Sequence, residues 1–276
     1  EGRYGEADAE LSRLCAEPLH PSTRAAALAR RAFLLALLGV DHPDAFRAAH
    51  QAIHAGPDVP FLRAWDRLYL AWSRVLRGAW SEADMLLAPA ESYFRSGGLK
   101  PAVSLAACIR AESLLFAGKA DHAFRVLDGV DDASDLVEAL RSLAAARLCL
   151  ERGPPETAMT RSSDLLAHAG ASMAGNPLHE WGLRARALRQ AILGASRASL
   201  EGLRRLEVKN VPEAFREAYV RAPSWIAWIG GALEKVASLA GASGSPPRSR
   251  GRVKPLARTA AFALADRPSH ALVARS

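Results

Sequence analysis

Cysteine is scarce in this chain of 276 residues, with only Cys15, Cys108 and Cys149, far apart and without a C-x-x-C pair. An odd, scattered set argues against a disulfide framework and reads as small buried hydrophobes in a reducing compartment. Aromatic residues are only 7%, so the composition leans away from what strands prefer. No apolar run reaches the roughly 18 residues of a membrane span, and no charged-then-apolar leader stands at the start. The reading is therefore of a cytoplasmic chain with no membrane contact. G-x-x-x-x-G-K-[ST], G-x-G-x-x-G and G-x-S-x-G are all missing, which removes the backbone chemistry of the common phosphate cradles and of the nucleophile elbow. No cofactor, metal or catalytic residue is implied.

What is present is alanine and leucine, in a chain that is 50% hydrophobic. That is enough for a continuous core, built from good helix formers. The fold class expected is all-α. The net charge of +7 is misleading, because seven basic residues stand against Asp266 alone from Gly241 onward. Residues 1–175 hold 19 basic and 22 acidic residues, and residues 176–209 hold seven and three. A nucleic-acid partner is therefore not expected through this segment.

Glycines recur at Gly2, Gly39, Gly78, Gly118, Gly153 and Gly194, spaced by 37, 39, 40, 35 and 41 residues. Five residues after four of them comes alanine: Ala7, Ala83, Ala123 and Ala158. Gly39 reaches Ala45 with one residue more. Seven residues before each internal glycine stands another alanine, at Ala32, Ala71, Ala111, Ala146 and Ala187. A period near 40 with small residues on both sides of a glycine describes helical hairpins whose axes approach closely at the turn. First helices are predicted at 22–38, 60–77, 100–117, 136–152 and 177–193. Second helices are predicted at 5–16, 44–55, 81–95, 120–128, 156–169 and 195–206. Pro60, Pro101 and Pro177 fall where a helix start tolerates proline.

Ala71, Gly78, Trp80 and Ala83, with Tyr4 in the same aromatic slot after Gly2, resemble the tetratricopeptide repeat signature. The resemblance covers residues 1–208 and is degenerate, since Ala120 and Pro155 hold the aromatic slot elsewhere. It is closer to the divergent repeats of large bacterial signalling and transcription regulators. The resemblance implies a right-handed superhelical α-solenoid of five to six hairpins, entered part-way through a repeat at Gly2, so that the full protein is expected to extend upstream. Residues 209–240 are expected to cap the array with an apolar face of Trp225, Ile226, Trp228, Ile229, Leu233 and Val236. Residues 241–276 read as a flexible basic linker carrying Arg248, Arg250, Arg252, Lys254 and Arg258.

The resemblance also implies a concave groove lined thirteen and six residues before each turn glycine. Those slots hold Phe33, Trp65, Trp72, Glu112, Arg147 and Trp181, with Arg184 one turn further on. Aromatic and arginine side chains anchor interfaces, so a protein or peptide partner, or another domain of the same polypeptide, is the function expected. The competing account is that the tryptophans fill space between repeats. A sensory module of a larger regulator or kinase is the alternative function, and an enzyme on a helical toroid is disfavoured. His50 and His54 share a helix face but lack the glutamate of H-E-x-x-H, and read as surface histidines. The acidic run at 128–138 lacks a calcium loop's ligand spacing and reads as a turn, with Ser134 or Asp135 capping the next helix.

Overall fold

A computed structural model describes residues 4–55, 59–130, 134–172, 179–208 and 211–242. Every regular element among them is helical: α1 (Tyr4–Ala16), α2 (Pro21–Leu37), α3 (Pro43–Ala55), α4 (Pro60–Leu76), α5 (Trp80–Ser96), α6 (Lys100–Phe116) and α7 (Ala120–Asp128) come first. They are followed by α8 (Asp135–Arg152), α9 (Pro155–Ser172), α10 (His179–Ile192), α11 (Arg197–Glu207), a 3-10 turn (Glu213–Phe215), α12 (Arg216–Val220) and α13 (Pro223–Ala242). The predicted spans agree to within a few residues. Gly2, Pro177 and the basic tail from residue 243 lie outside the described residues, and the first two residues assigned to that tail belong to α13.

Local chemistry sets the helix ends. Pro21 and Pro60 occupy first helical positions, where a fixed φ helps and the missing N–H costs nothing. At the other end Gly39, Gly78, Gly118 and Gly194 adopt φ of 76, 76, 70 and 87°. Each closes its helix with the paired reverse bonds of a Schellman motif, as in Gly78 N–H to the Val75 carbonyl and Ala79 N–H to the Arg74 carbonyl. Gly153 differs, with φ −69° and ψ 153°. Its requirement is space, because a β-carbon there would lie 2.4 Å from the Cys149 carbonyl oxygen. Gly98, outside the repeat pattern, makes the same left-handed stop after α5, with φ 66°.

Helices pack on their sequence neighbours, α2 against α3 and α4, α4 against α5, α6 against α7 and α8, and α8 against α9. The alanines flanking the turns make this possible. Ala71, Ala111, Ala146, Ala83, Ala123 and Ala158 have no exposed surface, and Ala32, Ala45 and Ala187 are also buried. Larger residues fill the space beside them, as α4 shows with Ala64, Leu68, Ala71, Trp72 and Val75 on one buried stripe. Trp80, in the aromatic slot of the repeat, stacks on Phe116 of the next pair with ring centres 4.9 Å apart. One continuous buried core runs from Tyr4 to Leu239 and takes in the terminal helices.

α1 and the end of α2 also meet the segment that leads into α13. The Tyr4 ring lies 6.2 Å from that of Tyr219 in α12, and Gly39 at the end of α2 abuts Ala218 and Ala222.

Candidate functional site

α2, α4, α6, α8 and α10 are the first helices of the pairs, and each carries one or two of the side chains assigned to the groove. Phe33, Trp72 and Trp181 come together. Their ring centres are 4.9 Å apart for Phe33 and Trp72, 4.7 Å for Trp72 and Trp181, and 6.3 Å for Phe33 and Trp181. Trp65 stands apart, half-buried against Phe94 at 5.2 Å and Phe61 at 6.5 Å.

Behind the aromatic cluster lies a buried charged network. Glu180 and Arg184 are one turn apart on α10, so their side chains share a face, and Arg184 Nε donates to Glu180 Oε1 at 3.2 Å. Arg184 Nη1 also faces Glu112 Oε1 of α6 at 3.5 Å. From α11, Arg204 Nη2 donates to the same Glu180 oxygen, while its Nη1 donates to the Tyr219 carbonyl of α12. Glu180, Arg184 and Arg204 have no exposed surface. Such a network keeps its stability only while each ion has a partner, which ties α6, α10, α11 and α12 to one register. Burial pushes the Glu112 carboxyl up, against the pull of Arg184 and Arg147. Burial also brings Arg147 down to about 10, against the pull of Glu112 and Glu151, so it stays charged at neutral pH.

The terminal helix α13 covers this floor. Its Trp228 ring lies 6.0 Å from Phe116 of α6 and sits beneath the guanidinium carbons of Arg147 and Arg184 at 4.6 and 5.5 Å. Trp225, one turn earlier, faces Arg204 at 5.0 Å. The buried side of α13 is Trp225, Trp228, Ile229, Val236 and Leu239, while Leu233 is half-buried and Ile226, expected on that face, is exposed. Trp72, Glu112, Trp181 and Arg184 are thus buried rather than open to solvent, Phe33 and Trp65 are half-buried, and the Arg147 head is enclosed by Phe116 and Trp228. α13 packs over Phe116, Arg147 and Arg184, so a segment binding those three side chains has to take the place of α13.

Glu180, Arg204, Tyr219 and the anchoring role of Trp228 were not singled out by the repeat positions. The E-x-x-x-R spacing of Glu180 and Arg184 was the one signal available for the first of them. His50 and His54 bring their rings to 4.5 Å at the surface, and burial beside His50, Arg67 and Arg63 holds His54 below the usual imidazole range. Among the described residues no group of three or more metal-ligating side chains is assembled. Ser134 occupies the N-cap position of α8 with extended backbone, and residues 131–133 of the acidic run lie outside the described residues. No described helix is long and apolar enough to cross a membrane. No protein-family model, curated protein or solved structure matches this chain.

Proposed function

We propose that this chain is a protein-interaction module: a right-handed, tetratricopeptide-like α-solenoid whose inner surface, made by the first helices of the pairs, receives a helical segment carrying aromatic side chains. The supporting observation is the seat of α13, whose Trp228 packs on side chains of α6, α8 and α10 at once. A surface that accepts one apolar helix of its own chain has the shape and chemistry for a helix from a partner or another domain. Recognition is then an exchange. The incoming segment replaces α13 and uses the same tryptophan and arginine anchors.

The test is a fluorescently labelled peptide of residues 216–242, titrated against the full chain and against the full chain carrying Trp228→Ala. Weakening the resident helix is expected to raise the affinity for the peptide at least tenfold, and a peptide that itself carries Trp228→Ala is expected to lose that gain. Equal, weak binding in every combination would sink the reading.

A second reading is a sensory module of a larger regulator or kinase. It is favoured by Arg204, which joins the terminal segment to the array through Tyr219 and Glu180 together. A change at the charged network would then move α13. Hydrogen exchange in α13 should rise in Arg204→Met if this holds, and should stay unchanged if α13 is held by its apolar face alone.

A further inference from the structure

Arg147 of α8 is half-buried beside α13. Its guanidinium packs against two neighbouring aromatic rings, 4.3 Å from the centre of Phe116 and 4.6 Å from that of Trp228. Cation–π contacts attract the charge of the group but accept none of the N–H donors along its edge. Among the described residues those donors find no hydrogen bond or ion pair, and Nη1 is buried without a partner. The two nearby carboxylates are engaged elsewhere: Glu112 faces Arg184 at 3.5 Å, and Glu151 pairs with Lys235 at 3.1 Å. A buried guanidinium with open edge donors is costly unless an acceptor lies in its plane.

Beside it is a place for one. A cavity of about 50 Å³ lies between α8, α10 and α13, lined by Arg147, Glu151, Leu188, Trp228, Gly231 and Lys235 among others. One water needs roughly 10–15 Å³ on this measure, so the space suits about four heavy atoms. On the other side of Arg147, toward Glu112, the gap is about 10 Å³ and admits no ligand. The lining carries two cations and one carboxylate, and that carboxylate, Glu151, is neutralised by Lys235 at the rim. The cavity opens to solvent at Gly231, which is exposed and where a β-carbon would meet nothing within 4 Å.

We propose that this cavity is a binding site for a small aliphatic carboxylate, held edge-on by Arg147 beside the Trp228 ring, with its short stem against Leu188 and Gly231. The fork of a guanidinium matches a carboxylate in two parallel charge-assisted bonds, a match that neither chloride nor a neutral amide reproduces. Bound there, the ligand touches the array through Arg147 and the terminal helix through Gly231, so it fastens α13 in its seat. The site goes beyond the exchange of helical segments, because it is complete with α13 in place and stands whether or not a partner peptide binds.

The test titrates sodium acetate into the full chain at pH 7.5, with chloride balancing ionic strength, and follows melting temperature together with ligand-observed NMR of acetate. Acetate is expected to raise the melting temperature saturably, whereas equimolar chloride or acetamide does not. In Arg147→Met, which keeps an apolar stem against the rings, and in Gly231→Leu, which takes up cavity space while leaving every charge in place, affinity is expected to fall at least tenfold. If Arg147→Met does not fold, Gly231→Leu and the acetamide comparison carry the decision. Acetate behaving as chloride does, or binding equally to Gly231→Leu, overturns the proposal and leaves the cavity to water.

Discussion

Gly39 and Ala222 stand so close that a β-carbon added to Gly39 would lie 2.5 Å from the Ala222 β-carbon and 2.6 Å from the Ala218 carbonyl oxygen. The turn that ends α2 is thereby pressed against α12, near the other end of the described chain. The same residue also holds φ at 76°, so it meets two demands, a left-handed backbone and the absence of a side chain. Gly118, with φ 70° and nothing within 4 Å of its would-be β-carbon, meets only the first.

Gly39→Ala is therefore expected to be clearly the more damaging of two matched substitutions. Gly118→Ala should cost about 1–2 kcal/mol for the left-handed backbone alone. Gly39→Ala adds the separation of α2 from α12 and is expected to cost at least about 2 kcal/mol more. Urea unfolding of both variants checks the difference, and equal midpoints would mean that the contact between the ends contributes little.

Glu180 supplies the anion shared by Arg184 and Arg204. Glu180→Ala leaves two buried guanidiniums without that carboxylate and is expected to destabilise by about 3–5 kcal/mol. The exposed pair of Arg197 and Glu201 on α11, also one turn apart, gives the contrast. Arg197→Ala should cost well under about 1 kcal/mol. Thermal melts of the two variants test whether burial, and not pairing as such, sets the cost.

Trp181 and Trp65 both stand thirteen residues before a turn glycine yet differ in surroundings. Trp181 has no exposed surface, while Trp65 is half-buried. Trp181→Ala is expected to cost about 3–5 kcal/mol, with a clearly smaller loss for Trp65→Ala. Chemical denaturation followed by far-UV circular dichroism measures both. A Trp181→Ala variant as stable as the parent would contradict the packing of Phe33, Trp72 and Trp181.

Asp66 on α4 is buried with Arg30 as its ion-pair partner at 3.3 Å, and burial pushes its carboxyl up to about 6. The folded chain then holds the Asp66 proton more tightly than the unfolded chain does. Over the window from about 4 to about 6 stability falls as pH rises, because ionisation is easier once the chain unfolds. The contribution is on the order of 3 kcal/mol across that window. Subtracting the stability of Asp66→Asn from that of the parent at each pH isolates it, since Glu91 and Glu112, whose carboxyls burial also raises, remain in both. A flat difference between pH 4 and 7 would show that Asp66 ionises as it would in water.

Much of the architecture was legible from local signals. A glycine after an amphipathic run can stop a helix in a left-handed turn whatever lies around it, and Gly78 and Gly118 do so where the period placed them. Proline at a helix start acts within a single turn, as at Pro60. The alanines at the crossings were legible because only a small residue lets two axes approach, and Ala71 and Ala83 are fully buried there. Gly153 shows the limit, since its backbone is not left-handed and its role depends on the nearby Cys149 carbonyl.

The helices, their hairpin turns and the small residues beside them follow from local chemistry, because propensity, capping and periodicity operate over a few residues. Whether Trp72, Trp181 and Arg184 face solvent was decided only by the tertiary structure. That depends on contacts between helices far apart in sequence, such as α4 with α10 through Trp72 and Trp181, and on α13 packing against α6, α8 and α10. Contacts of that kind, and the seat of a terminal helix, are properties of the whole packed chain, and no short stretch of sequence encodes either.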